Sequence, residues 1–119
     1  MNDIPEHERS IAEQFRITAR HWIAADAKAR LLEELKTPEL ERRKNALIEA
    51  ASEEDRMTDA KAERLVKASP EWFAYITEMV DARTLSNRFE QQMEHIEKKQ
   101  WEENNANANV RAEMRLTGI

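Results

Sequence analysis

Residues 69–101 read SPEWFAYITEMVDARTLSNRFEQQMEHIEKKQW, and this run decides the fold. It opens on Ser69-Pro70-Glu71. Proline at a first helical position gives up no hydrogen bond the helix could have made, and its fixed φ suits the turn. Glutamate just behind it meets the positive end of the helix dipole. Tyr75, Met79, Ala82, Ser86, Phe89, Met93 and Ile96 then recur with coiled-coil spacing, and Trp72, Ile76 and Val80 form a second edge. No helix breaker appears before Gly118, the only glycine of the chain. The spacing predicts a helix over 70–103. Beyond Trp101 the pattern weakens, and Asn104 to Asn109 alternates poor helix formers with alanine, so 104–119 is expected to be a frayed or hinged tail.

The same start chemistry recurs upstream. The three prolines, Pro5, Pro38 and Pro70, are each followed by glutamate. Asp3 can cap a first helix over about 5–36, with Glu6 at capping-box spacing. Ile11, Phe15, Trp22, Ala29 and Leu32 form its apolar stripe, widened by Ile23, Ala27 and Leu31. Thr37 precedes a proline, which disfavours helical geometry and ends the segment. A second helix over 38–51 carries Leu40, Leu47, Ile48 and Ala51. Ser52-Glu53-Glu54-Asp55 offers the next start, in competition with Thr58-Asp59, for a short third helix over 53–67 carrying Leu65 and Val66. The even spacing of the prolines invites a repeat reading. The segments diverge at once after their starts, and shared helix-start chemistry accounts for the likeness.

Composition agrees with this reading. Of 119 residues, 36% are charged and 40% hydrophobic, with few aromatics, the mixture of long helices and coiled coils. The length suits one all-helical domain over residues 1–119. There is no cysteine, hence no disulfide framework and no thiolate metal site, which fits a reducing cytoplasm. Met1 to Ser10 is acidic and polar, unlike a signal peptide, and no apolar run approaches membrane-spanning length. A last helix of roughly 45 residues is about 70 Å long and needs a cover along its stripe. The expected architecture is therefore all-α: an elongated helical hairpin or small bundle with one long C-terminal helix and coiled-coil-like packing. A homo-oligomer is expected from it. Ala82, Ser86 and Gln100 interrupt the seam and weaken a simple parallel dimer.

The residues offer little catalytic chemistry. His7, His21 and His95 lack a second histidine at i, i+4 and read as surface residues, so no metal ligand is assigned. Glu78-Met79-Val80-Asp81 has the Glu-x-x-Asp form with which helical nucleotide pyrophosphohydrolases hold magnesium, but the companion Glu-x-x-Glu is missing. A single terminal glycine excludes both phosphate-cradling fingerprints. No enzymatic activity, catalytic residue or cofactor is assigned.

Basic clusters remain. Arg16, Arg20 and His21 flank Trp22; Arg42, Arg43 and Lys44 are contiguous; Lys98 and Lys99 precede Trp101; Arg111 and Arg115 share a helical face. Cations beside an exposed aromatic grip single-stranded nucleic acid by phosphate contact and base stacking. The competing reading pairs them with glutamates at helical spacing, Glu94 with Lys98 or Glu39 with Arg43. Trp22 belongs to the stripe and is expected in the core. Trp101, near the end of its seam, is the better candidate for exposure. Lys98, Lys99, Trp101, Arg111 and Arg115 are therefore the candidate residues for nucleic-acid or partner binding.

Lys67-Ala68-Ser69-Pro70-Glu71-Trp72-Phe73-Ala74-Tyr75, Val80-Asp81-Ala82-Arg83 with Asn87, and Arg111-Ala112-Glu113-Met114-Arg115-Leu116-Thr117-Gly118-Ile119 together resemble small helical proteins of tailed bacteriophages, of the kind encoded beside single-strand-annealing recombinases. The likeness covers roughly residues 67–119, and the Asn-rich stretch departs from it. It implies a phage accessory protein in the bacterial cytoplasm, acting in DNA recombination or replication by binding single-stranded DNA or a recombinase. The alternative is an inhibitor of a host or defence protein, acting by protein–protein binding or by DNA mimicry, for which the net charge of −5 is suited.

Overall fold

The structure is a computed structural model that describes residues 10–117. It is all-α, with no strand among the described residues: α1 (Ile11–Glu34), α2 (Lys36–Ala50), α3 (Asp59–Lys67) and the long C-terminal α4 (Pro70–Thr117). The chain divides into two compact units. A terminal unit comprises Met1–Ala24 with Asn87–Ile119, and a central unit comprises Ala25–Ser86.

Three of the helices, α1, α3 and α4, begin where a side chain takes up an orphan amide, while α2, with Leu35 at its N-cap, has no side-chain cap. At α1, Ser10 Oγ accepts from the Glu13 N–H at 3.1 Å, and the Ser10 carbonyl accepts from Gln14 at 2.9 Å. Ser10 and Glu13 have capping-box spacing, a start not recognised from the sequence. The expected cap at Asp3 and start at Pro5 lie outside the described residues. Thr58 caps α3 by accepting from the Lys61 N–H at 3.2 Å. Ser69 caps α4 doubly, donating to the Val66 carbonyl at 2.6 Å and accepting from the Trp72 N–H at 3.2 Å. Pro70 stands at the first helical position of α4.

Three helix boundaries differ from expectation. The break between α1 and α2 falls at Leu35 (φ −83°, ψ −4°), upstream of Thr37. Proline costs nothing within a first turn, so α2 starts ahead of Pro38, and the ladder gives way where Pro38 has no N–H for the Glu34 carbonyl. The third helix starts at Asp59, not 53. Ser52 Oγ accepts from the Asp55 N–H at 3.1 Å but closes only a turn. The start at Thr58 sets Ala62 and Val66 in the core one helical turn apart and brings Asp59 to the buried Lys44. Finally, α4 runs on through Asn104–Asn109 to Thr117 where fraying was expected. Asparagine costs only about 0.5–0.7 kcal/mol per residue against alanine, Ala106 and Ala108 are interleaved, and nothing from Glu71 to Thr117 breaks a helix. Thr117 Oγ1 donates to the carbonyls of Glu113 (3.0 Å) and Met114 (3.2 Å) in the last turn. Gly118 and Ile119 lie outside the described residues.

In the central unit, α1 and α4 run antiparallel. Tyr75 Oη donates to the Leu32 carbonyl at 2.6 Å, Lys28 faces Glu78 at 3.6 Å, and Arg83 reaches Asp26 at 2.8 Å. The α4 seam is the predicted heptad, and its small members, Ala82 and Ser86 on α4 with Ala25 and Ala29 on α1, are all buried. Ser86 is 1% exposed because it is matched: its hydroxyl donates to Asp26 Oδ1 at 3.1 Å. A residue read as an interruption of the seam is thus a polar knob with a polar partner. Trp72 stacks on Tyr75 with 5.3 Å between ring centres, and the Arg43 guanidinium stands 5.8 Å from the Trp72 ring and 5.9 Å from that of Tyr75. In the terminal unit Ile96 is buried, and His21 stacks on Phe89 at 5.4 Å. Trp22 is half-buried, its Nε1 enclosed without a hydrogen-bond partner.

Candidate functional site

Charge is arranged differently in the two units. Every ion pair between described residues belongs to the central unit. Arg83 grips both Glu33 oxygens (2.9 and 2.6 Å) and Asp26, which also takes Arg30 at 2.8 Å. Arg83's hydrogen bonds hold the Asp26 and Glu33 carboxyls below their usual range. Glu39 is held down to about 2 by hydrogen bonds first from Arg42 and then from Arg43. The buried Lys44 ammonium lies between Asp59 (2.9 Å) and Glu41 (3.2 Å), and the Asp59 bond raises its pKa. The contiguous Arg42, Arg43 and Lys44 are therefore internal ties and leave no free basic patch.

The five candidate residues all lie on the part of α4 that belongs to the terminal unit, and all are exposed. Lys98, Lys99, Arg111 and Arg115 have no acidic partner within ion-pair distance among the described residues; Arg111 Nε makes only a long bond, 3.4 Å, to the Asn107 carbonyl of its own helix. The two glutamate pairings weighed from the sequence separate here. Glu39–Arg43 forms at 2.9 Å, whereas Glu94 and Lys98 do not meet. The tryptophans separate too: Trp101 is 66% exposed and Trp72 5%.

Helical geometry sorts the five further. At about 100° per residue, Lys98, Trp101, Arg111 and Arg115 fall within a sector of about 140° on one side of α4. The other residues of that sector between 98 and 115 are Asn104, Asn105, Ala108 and Ala112, so it holds no acid. Glu102 and Glu113 flank the sector about 40° and 60° beyond Lys98, and Lys99 and Glu103 lie farther round the helix. Lys99 lines a groove of about 430 Å³ with Asn104, Ser10, Ile11, Gln14, Gln100 and Glu103. The structure thus brings four of the five residues onto one face and separates Lys99 from them. It adds Asn105 and, at the edge shared with the Lys99 groove, Asn104, whose amides are hydrogen-bond donors and acceptors. Sequence reading treated them as helix weakeners, yet their spacing from Trp101 was a usable signal once α4 is continuous.

Other candidates are absorbed elsewhere. Glu78 faces Lys28, His21 is spent on Phe89, His95 is an exposed residue of α4, and His7 lies outside the described residues. No group of three or more potential metal ligands converges among the described residues, and no described helix is long and apolar enough to cross a membrane. No protein-family model, no curated protein and no solved structure matches the chain.

Proposed function

We propose that this chain is a non-enzymatic bacteriophage accessory protein that works in the bacterial cytoplasm in DNA recombination or replication, and that it holds single-stranded DNA on the face of α4 that carries Lys98, Trp101, Arg111 and Arg115. One observation carries the reading: Trp101 is exposed between cations that have no ion-pair partner among the described residues, on a helix face without a carboxylate from Lys98 to Arg115. Lysine and arginine there neutralise phosphates, and the indole stacks on a base, worth about 1–3 kcal/mol. The likeness of residues 67–119 to phage recombination accessories supports the setting, in which a recombinase is the other candidate partner of this face. Inhibition of a host protein by DNA mimicry is less well supported, because Asp26, Glu33, Glu39, Glu41 and Asp59 are engaged by the protein's own cations.

With a net charge of −5 the protein repels DNA at long range, so binding is expected to be confined to this face and steeply salt-dependent. Fluorescence anisotropy of a labelled oligothymidine at low and physiological salt tests this. Lys98→Glu with Arg111→Glu is expected to abolish binding, and Lys99→Glu to leave most of it. Absence of binding at low salt, or indifference to the double reversal, removes the direct-DNA reading.

A further inference from the structure

Two exposed surfaces among the described residues have opposite chemistries. The first is a groove of about 560 Å³ in the central unit, between α1 and α4. Its floor is made of the alanines Ala25, Ala74 and Ala82, and its walls of Phe73 and Leu85. Phe73 is 73% exposed, an unusual cost in a chain so rich in charge. The rim is acidic: Asp81 has no ion-pair partner among the described residues, and Glu78 has only the long contact to Lys28. The second surface is the last part of α4. There Val110 and Met114 lie one turn apart, each half exposed, with the unpaired Arg111 and Arg115 beside them.

We infer that the groove receives the end of α4 from a second copy of this chain. An alanine floor leaves room for a close helix, and Val110 and Met114 supply the apolar knobs it lacks. Arg111 and Arg115 supply the cations that the Asp81 rim attracts, so the match is one of charge as well as shape. Residues of both surfaces are carried by α4. Exchange between two copies satisfies both surfaces in each and closes the assembly as a dimer. Arg111 and Arg115 also belong to the proposed DNA face, so single-stranded DNA and the second copy compete for them. The dimer itself does not depend on that reading.

Sedimentation of the full chain over a wide concentration range tests the exchange. Wild type is expected to pass from monomer to dimer. Asp81→Arg in the groove, or Arg111→Asp on the helix end, is expected to weaken dimerisation about tenfold or more, with helix content by circular dichroism unchanged. The two variants mixed are expected to associate again, since the wild-type pair forms at one groove and the reversed pair at the other. A wild type that stays monomeric, single variants that dimerise like wild type, or a mixture no tighter than its components overturns the proposal. Asp81→Arg lies off the DNA face, so its DNA binding at monomeric concentration shows whether the functional reading stands apart from the dimer.

Discussion

Arg83 and Arg111 are borne by the same helix and serve opposite ends. Arg83 is clasped by Glu33 and Asp26 across to α1, while Arg111, among the described residues, bonds only the Asn107 carbonyl of its own helix. The contrast extends to the tryptophans: Trp72 is buried against Tyr75 under Arg43, and Trp101 stands in solvent. One region spends its cations and indole on holding itself together. The other leaves the same residue types free, and free cations and aromatic faces are what a ligand can use.

Breaking the contrast at its strongest point means Trp72→Ala, expected to cost about 3–5 kcal/mol in urea unfolding, against a change within about 0.5 kcal/mol for Trp101→Ala. Equal losses at both would show that the end of α4 is packed after all. Acid comes next. Asp26, Glu33 and Glu39 have lowered pKa values in the fold, so their contribution is complete above the ordinary carboxylate range and is lost as pH falls through the lowered values, which for Glu39 is about 2. Thermal melts followed by circular dichroism should therefore fall steeply across that window, and a flat profile would deny the ion pairs a stabilising role. Ser69→Ala is a smaller blow, about 0.5–2 kcal/mol, because the Trp72 amide loses its acceptor. The smallest expected effect on stability is that of Lys98→Glu, within about 0.5 kcal/mol, although it should lower the salt slope of DNA binding by about 0.7. A variant that loses stability and binding together would mean that Lys98 is structural.

Much of the fold was legible because its signals are local. Ser69-Pro70-Glu71 announces α4, Thr58 competes openly for α3, and the steps from Tyr75 to Ile96 give the seam. What escaped depends on distant partners or on competition. Ser86 looks like a flaw in an apolar stripe until Asp26, sixty residues away in the chain, is brought to it. Ser52 and Thr58 are equally good caps in isolation, and the fit of Ala62, Val66 and Asp59 against α2 decides between them. The candidate site was half legible. The residue types around Trp101 stood out, but the separation of Lys99 and the joining of Asn104 and Asn105 need the phase of an unbroken helix.

Tyr75 is the only tyrosine of the chain, and its hydroxyl is tied to the last turn of α1 through the Leu32 carbonyl. Burial raises its pKa, so the neutral phenol is the form the fold prefers, and stability is given up as pH climbs past the unfolded value near 10. The protein therefore carries a built-in optical gauge. The ultraviolet signal of phenolate formation reports, without any label, whether the end of α1 is seated on α4, and it can be followed while the rest of the molecule is mutated, diluted or given DNA.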